Sequence, residues 1–261
     1  MDRNRRRRFG QNFLDDTMAH AIANDLPILA GQEILEIGPG HGALTKHLIP
    51  RAAHVTSVEI DPECAALVGK QFADKSFSVI QADFMKFDVD AWLDTHPNAW
   101  AAGNLPYNVS TAIIAHLVER MHRLHGLMAM VQFEVAKRLC AEPCTSDYGS
   151  LTVLVAAHCE RKFLRKVGPE FFTPRPNVDS ATVLLTPRAQ PLQSPAGFFD
   201  FVQACFAHKR KRLSNSLEGP WSKAQIMDAI QQMGLSEHTR AEELSPEQFL
   251  VLHGILDTTN G

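Results

Sequence analysis

Five consecutive residues, Gly103-Asn104-Leu105-Pro106-Tyr107, hold the most chemically specific set in the sequence. They supply a side-chain amide, a main-chain carbonyl ahead of a proline, and an aromatic ring. Such a set can hold a flat, amino-bearing base and act on its exocyclic nitrogen. The amine of adenine is a poor nucleophile because its lone pair is delocalised into the ring, whereas a methyl on a sulfonium is already activated, so transfer needs no strong base. What helps is a pair of acceptors, the Asn104 side-chain oxygen and the Leu105 carbonyl, that hydrogen-bond the two amine protons and favour a pyramidal nitrogen aimed in line at the methyl. Pro106 has no N–H and a fixed φ, so it stiffens the turn and biases Leu105 towards an extended geometry. Tyr107 would stack on the base, a contact worth about 1–3 kcal/mol. The plainer alternative is a strand ending at Gly103 followed by its turn, since four-residue motifs recur by chance.

A site for a methyl donor must lie beside that motif, and the upstream sequence offers one. Gln32 to Ile37 reads as a short apolar strand ending in EIGPGHGALT. Gly38, Gly40 and Gly42 make a turn without side chains, so backbone N–H groups can approach a nucleotide-like ligand at the start of the next helix. The strand His54–Ile60 carries Glu59, 21 residues after Gly38, a separation at which an acid takes both hydroxyls of a ribose. Alone, Glu59 reads equally well as a surface acid at a strand end. Asp83 follows the strand Phe77–Gln81 and can accept from an adenine amino group of the cofactor, or simply make an Asx turn. Gly38, Gly40 and Ala43 also satisfy G-x-G-x-x-[GA], which keeps an NAD-binding protein as a second reading. Against it stand Glu36 before the loop, Pro39 within it and no hydride-transfer constellation downstream. A zinc-dependent deaminase is excluded, because Pro143-Cys144 has no Cys three residues on and no H-x-E partner before it.

The remaining elements alternate in the manner of a parallel sheet. A basic, extended lead-in occupies residues 1–13, positioned to lie over something, and a helix runs from the Asp15/Asp16 cap to Leu26. Asp61-Pro62 starts a helix to Phe72. Asn98–Gly103 is a strand delivering the five-residue motif to its carboxyl end, the edge at which open parallel sheets bind ligands. Ser110 caps a helix to Met121, Gly126–Gln132 is a strand and Glu134–Ala141 a helix. The apolar run Leu151–Cys159 has no period that separates helix from strand. Arg161–Val167 and Ala181–Thr186 read as strands flanking EFFTPRPNVDS, where Phe171 or Phe172 either closes over a base opposite Tyr107 or packs into the core. Past Pro187 the composition changes to a linker and then helices: Phe198–Ala207, the HKRKRLSNSL stretch, one from Ser222 with Gly234 as its C-cap, and one at the Ser245-Pro246-Glu247-Gln248 capping box. These readings give two domains, 1–187 and 188–261.

The chain has 261 residues, 45% hydrophobic and 21% charged, which suits one large domain with a small appendage. No apolar run approaches the roughly 20 residues that span a bilayer, and the basic N-terminus is not followed by an apolar leader core. Cys64, Cys140, Cys144, Cys159 and Cys205 form a scattered odd set, read as reduced thiols of a cytoplasmic protein; a Cys140/Cys144/His158/Cys159 metal site is the weak alternative, and no metal is expected. Net charge is −3, yet nine of the 26 Lys and Arg fall in two runs. Arg3, Arg5, Arg6, Arg7 and Arg8 crowd the start, and Lys209, Arg210, Lys211 and Arg212 form the second. Either run alone reads first as a solvated tail or helix face; two runs beside an adenine-type site, set against an otherwise acidic chain, suggest a polyanionic partner.

In order, FGQNFL, EIGPGHGALT, VEID, ADFMKFD, GNLPYNVST, EVAKRL, DYGSL, FTPRPNVDSA, HKRKRLSNSL and RAEEL span almost the whole chain. This ordered set resembles the ribosomal RNA adenine N6-dimethyltransferases, most closely their small-subunit type. The resemblance implies a class I S-adenosylmethionine-dependent methyltransferase: an α/β, Rossmann-like, seven-stranded mostly parallel sheet with a small all-α C-terminal domain. It further implies that Asn12, Leu14, Gly38, Gly40, Glu59, Asp83 and Asn104 hold S-adenosylmethionine, and that Asn104, Leu105, Pro106 and Tyr107 hold the target adenine, with Phe172 closing the stack. Its implied reaction is dimethylation of two adjacent adenosines near the 3′ end of 16S rRNA in a pre-30S particle, by a monomer. Relatives that methylate 23S rRNA and confer macrolide resistance are the nearer alternative. Two positions depart from the small-subunit pattern, Phe133 before EVAKRL and Ser150 after DYG, and both bear on RNA contacts.

Removal of Arg5–Arg8 is expected to weaken RNA binding and flatten its salt dependence by about 0.7 in slope for each phosphate no longer neutralised. Binding titrations across a salt series check this; an unchanged slope assigns the run to solvent.

Overall fold

The computed structural model describes residues 12–73, 75–97, 99–208 and 211–258. Nine strands are described: β1 (Phe13–Leu14), β2 (Glu33–Ile37), β3 (His54–Glu59), β4 (Phe77–Gln81), β5 (Ala99–Asn104), β6 (Leu124–Gln132), β7 (Cys159–Val167), β8 (Phe172–Thr173) and β9 (Ser180–Pro187). Seven of them form one sheet in the order β4-β3-β2-β5-β6-β9-β7. The first five are parallel, and β9 runs antiparallel to both β6 and β7. This is the mostly parallel, seven-stranded class I methyltransferase arrangement. β2, whose last four residues are buried, and β5, with its first five buried, are nearly continuous apolar runs, as strands covered on both faces must be.

Local sequence explains where several elements begin. Asp15 Oδ1 accepts the Met18 N–H at 2.8 Å and starts the helix Asp16–Asp25. Asp61 accepts the Glu63 N–H, with Pro62 as the first residue of the helix Pro62–Gln71. Ser110 is not a cap as expected: it is the first helical residue of Ser110–Val118, and its hydroxyl donates to the Tyr107 carbonyl at 3.3 Å. The helix expected directly after the glycine turn starts only at Thr45 and lasts one turn, Thr45–Leu48. A short helix the sequence reading did not mark, Val89–Thr95, is capped by Asp88.

The chain divides into two compact units, one holding the sheet with residues to Ala136 and Cys159–Pro187, the other holding Lys137–His158 and everything from Arg188. The boundary at 187 is where the chain leaves the sheet for good, but the expected contiguous first domain is corrected at 137–158. The reason lies in the apolar run. It forms the helix Ser150–His158 with Leu151 through Ala157 all buried, and a helix apolar all round must be enclosed by other elements. Val153 and Tyr148 join Phe198, Phe201, Val202, Leu213, Ile226, Ile230, Phe249 and Leu252 in one core of the second unit. There the capping boxes at Ser222/Gln225 and Ser245/Gln248 both form, and Gly234 at φ +68° ends the helix Lys223–Gln232 as expected, with Leu235 N–H returning to the Ile230 carbonyl. Among the described residues no helix is long and apolar enough to cross a membrane.

Phe133, one of the two departures, meets the Phe163 ring edge-on, with Lys166 Nζ 5.0 Å from its centroid. Nothing in the structure explains Ser150.

A close constraint in the sheet beside the switch between β2 and β5 is at Gly103. A Cβ there would sit 2.5 Å from the Ile37 carbonyl oxygen of β2, a backbone atom that cannot swing aside. Gly103→Ala is therefore expected to lower stability by about 1–3 kcal/mol, as overpacking does, and a urea unfolding midpoint checks it.

Candidate active site

The strand order reverses direction between β2 and β5, and in an open sheet the crevice at that switch, beyond the carboxyl ends, is where ligands sit. A cavity occupies that place, lined by residues from four strand ends and from the segment before β1. Asn12, Leu14, Gly38, Gly40, Glu59, Asp83, Asn104, Leu105, Pro106 and Tyr107 all line it, so ten of the eleven expected positions outside the basic runs converge.

Each is held by a definable interaction. Gly38, Gly40 and Gly42 take φ of +67°, +56° and +80°, backbone that only glycine adopts at little cost. The Gly38 N–H donates to the Val58 carbonyl at 2.9 Å, pinning the turn to β3. Glu59 is 4% exposed, which removes the surface-acid alternative. Its Oε2 accepts the Gly40 N–H at 3.0 Å and its Oε1 the Asp61 N–H at 2.8 Å. Burial raises its carboxyl above the usual range, against the pull of those backbone donors. Asp83 does make the Asx turn, with Oδ1 accepting the Met85 N–H at 3.0 Å. The same side chain lines the cavity, so the two readings are compatible: a carboxylate has a second oxygen.

Asn104 ends β5, and its Nδ2 donates to the Asn12 carbonyl at 3.0 Å. With one of its two N–H groups engaged there, the amide keeps Oδ1 without a hydrogen-bond partner among the described residues. Next to it, the Leu105 N–H donates to the Met130 carbonyl at 3.0 Å, while the Leu105 carbonyl has no hydrogen-bond partner among the described residues. Two unsatisfied acceptors thus stand side by side. Pro106 accepts from the Val109 N–H at 3.1 Å, which closes the turn. The Tyr107 hydroxyl is hydrogen-bonded to the hydroxyl of Ser180. Burial raises the Tyr107 phenol, with the Ser180 hydrogen bond opposing, so it stays neutral.

Phe172 is the expectation that requires correction. Its side chain is 2% exposed and packs with Leu14, Ile22, Trp100, Met130 and Val167, and it is absent from the cavity wall. β8 pairs antiparallel with β1, with Phe172 opposite Leu14, and that pairing commits the ring to the core that supports the cavity from outside. Arg5, Arg6, Arg7, Arg8, Lys209 and Arg210 lie outside the described residues. Lys211 and Arg212 are exposed in the second unit.

Several lining residues were not singled out from sequence. Phe13 stacks on His41 with ring centroids 3.6 Å apart and planes 10° apart, and packs against Gly40. Ile60 and Met85 line the cavity while 44% and 40% exposed; apolar side chains left open on a cavity rim suit the faces of a heterocycle. A legible signal existed for Ile60, an aliphatic residue directly after a strand-end acid. Ser180 had none beyond its place in the VDSA stretch.

Residues 2–258 match the sequence profile of the family described as Ribosomal RNA adenine dimethylase. Proteins described as "Ribosomal RNA small subunit methyltransferase A" are similar over most of their length. That of Pseudomonas aeruginosa is 40% identical over 218 residues, covering 82% of this chain and 81% of the relative. That of Bacillus licheniformis is 38% identical over 257 residues, covering 93% and 88%. Among solved structures, 23S rRNA methyltransferase ErmE is 30% identical with a TM-score of 0.70, covering 94% of this chain and 100% of that one. A dimethyladenosine transferase from Plasmodium falciparum has the same fold, with a TM-score of 0.82 at 22% identity over 96% and 98%. These likenesses remove the dinucleotide-oxidoreductase reading. A profile match across nearly the whole chain, and a methyltransferase fold whose switch-point crevice carries two paired acceptors, make this protein a member of the ribosomal RNA adenine dimethylase family.

Proposed function

We propose that this protein transfers methyl groups from S-adenosylmethionine to N6 of adenosine in small-subunit rRNA, twice on each of two adjacent adenosines near the 3′ end of 16S rRNA, during assembly of the 30S particle in the cytoplasm. The observation that carries it is the oriented acceptor pair, Asn104 Oδ1 and the Leu105 carbonyl, at the end of β5. The choice of small-subunit rRNA rests on relatives whose description names that substrate, set against the lower identity of the 23S enzyme.

The residues present fit the cofactor. Glu59 is a buried acceptor at a strand end beside the glycine turn, and no Lys or Arg is among the described lining residues, which suits a cationic ligand. Asn12, Leu14, Gly38, Gly40, Glu59, Asp83 and Asn104 would hold it. When bound, S-adenosylmethionine supplies a methyl activated by its sulfonium. The protein supplies position. Asn104 Oδ1 and the Leu105 carbonyl accept the two amine hydrogens and draw the lone pair out of conjugation, which favours attack along the line to the methyl. Pro106 keeps the Leu105 carbonyl from rotating away. Tyr107, anchored by Ser180, offers its face to a base taken out of the stack. The adenine gives up one N–H proton for each methyl gained, and rebinding of the monomethylated base yields the dimethyl product. The basic runs at Arg5–Arg8 and Lys209–Arg212 serve the RNA backbone. The protein acts as a monomer in this reading.

The reaction is tested by incubating the protein with labelled S-adenosylmethionine and 30S particles that lack the modification, then locating the labelled nucleoside. N6,N6-dimethyladenosine near the 3′ end of 16S rRNA is the expected result; label in 23S rRNA instead would reassign the substrate. Asn104→Ala is expected to lower kcat about 100-fold or more, the loss typical of a group that meets the transition state, and near-normal turnover would remove Asn104 from that role.

Ser180→Ala is expected to reduce kcat/KM by about 2- to 10-fold, the worth of one ordinary hydrogen bond. A double mutant with Tyr107→Phe should be no worse than either single change, because both remove the same bond. Additive losses would show that the two residues act separately.

A further inference from the structure

We propose that Glu36 is the proton-exchanging acid of the cofactor cavity: protonated in the ligand-free protein in mildly acidic solution and ionised when a sulfonium-bearing ligand enters, so that the site separates the cationic methyl donor from its neutral thioether product by charge. This rests on the S-adenosylmethionine reading above, and extends it from binding to discrimination between the two forms.

The geometry begins with an imbalance. Three carboxyl groups, Glu36, Glu59 and Asp83, line the cavity, and His41 is the one basic side chain among the described lining residues. Of the three, Glu59 has a backbone N–H on each oxygen. Glu36 does not. It is 1% exposed, and its Oε2 accepts the Thr45 hydroxyl at 2.8 Å and the Ser57 hydroxyl at 2.6 Å. Its Oε1 is buried with no partner among the described residues. A carboxylate with one bare buried oxygen is costly to keep charged, and protonation is the usual escape. The neighbours do not supply the missing charge. On β3 the facing groups are Ser57 and Glu59, on the helix Thr45–Leu48 it is Thr45, and on β5 the partner of Glu36 is Ala102. No cation is among them, and Glu59 repels a second negative charge. Burial, the largest cause, and this repulsion push Glu36 up to about 7, against the two hydroxyls.

A positive ligand reverses the balance. Inside a cavity of low dielectric, a sulfonium favours the ionised acid and lowers its pKa, so binding expels a proton whenever the pH lies below the ligand-free value. The sign follows directly. Donor affinity rises as pH rises towards about 7 and levels off above it, by at most about tenfold per pH unit. The thioether product carries no sulfonium charge, leaves the protonation of the acid unchanged and binds with little pH dependence. In the transfer itself the sulfur keeps the electron pair of the broken S–C bond and loses its charge, the nitrogen loses a proton as it gains the methyl, and Glu36 regains a proton from the medium. Product release is then favoured because the charge that held the donor has gone.

Isothermal titration of the full chain with S-adenosylmethionine and with S-adenosylhomocysteine, between pH 6 and pH 8 in buffers of different ionisation heat, counts the protons. The donor is expected to release up to about one proton below pH 7 and to bind roughly three- to tenfold tighter at pH 7 than at pH 6; the product should show neither. Glu36→Gln keeps the acceptor for Thr45 and Ser57 but cannot titrate, so it should abolish the difference, and subtracting it removes protons that belong to the ligand. Equal proton release by donor and product in the native protein overturns the proposal, whether or not the variant folds. Unchanged release in a folded Glu36→Gln variant overturns it too. Binding of neither ligand at any pH would instead overturn the cofactor reading itself.

Discussion

The site depends on how closely β2 and β5 approach where they part. These two parallel strands are neighbours in the sheet, yet the chain leaving β2 turns back towards β3 and the chain leaving β5 goes on to β6. The crevice between the two exits is a consequence of topology, and the strands approach closely beside it at Gly103. Because that residue lacks a Cβ, the backbone of β5 rests against the Ile37 carbonyl, and the next residue, Asn104, emerges beside the glycine turn that follows β2. The close approach at Gly103 thus accompanies the meeting of the two turns along one cavity.

The segment before the sheet completes what the strand ends begin. Asn12 contributes no side-chain contact to Asn104; its carbonyl takes the amide donor and so determines which end of the amide faces inward. Phe13 covers His41 and Gly40, Leu14 is 8% exposed in the core beneath, and β1 is fixed by pairing with β8. Three consecutive residues therefore hold the Asn104 amide, cover a turn and anchor that cover. An Ala at position 12 would keep the carbonyl, which separates the backbone role of Asn12 from any contact its side chain makes with a cofactor.

Much of this was legible in the sequence because parallel strands are short apolar runs with turn chemistry at their carboxyl ends. Gly38, Glu59, Asp83 and Asn104 each follow or finish such a run, and four strand ends of one open sheet must lie together. The misplacement of Phe172 has an equally physical origin. A two-residue strand has no alternation to read, and only its pairing with Leu14 decides which way the ring points. The helix Ser150–His158 hid its period because seven successive residues are buried; with no solvent side there is nothing for a period to mark. That same burial explains why the segment belongs with the C-terminal helices. Ser180 was invisible for another reason, since its partner Tyr107 is 73 residues away and sequence spacing carries no trace of such a contact.

The proposed reaction requires the protein to bind two ligands of opposite sign, a polyanion and a cationic donor. Three of its acids line the cavity, and nine of its 26 Lys and Arg fall in two short runs of the sequence. A lysine or arginine in the crevice would strengthen contact with RNA phosphate, but it would also neutralise Glu36 and Glu59 and repel the sulfonium. Leaving Glu36 with a bare buried oxygen is costly to the folded state as a carboxylate. A neutral amide at that position would avoid the cost and lose the response to charge. The retained acid makes sense when the group that stabilises its charge arrives with the ligand and departs with the methyl.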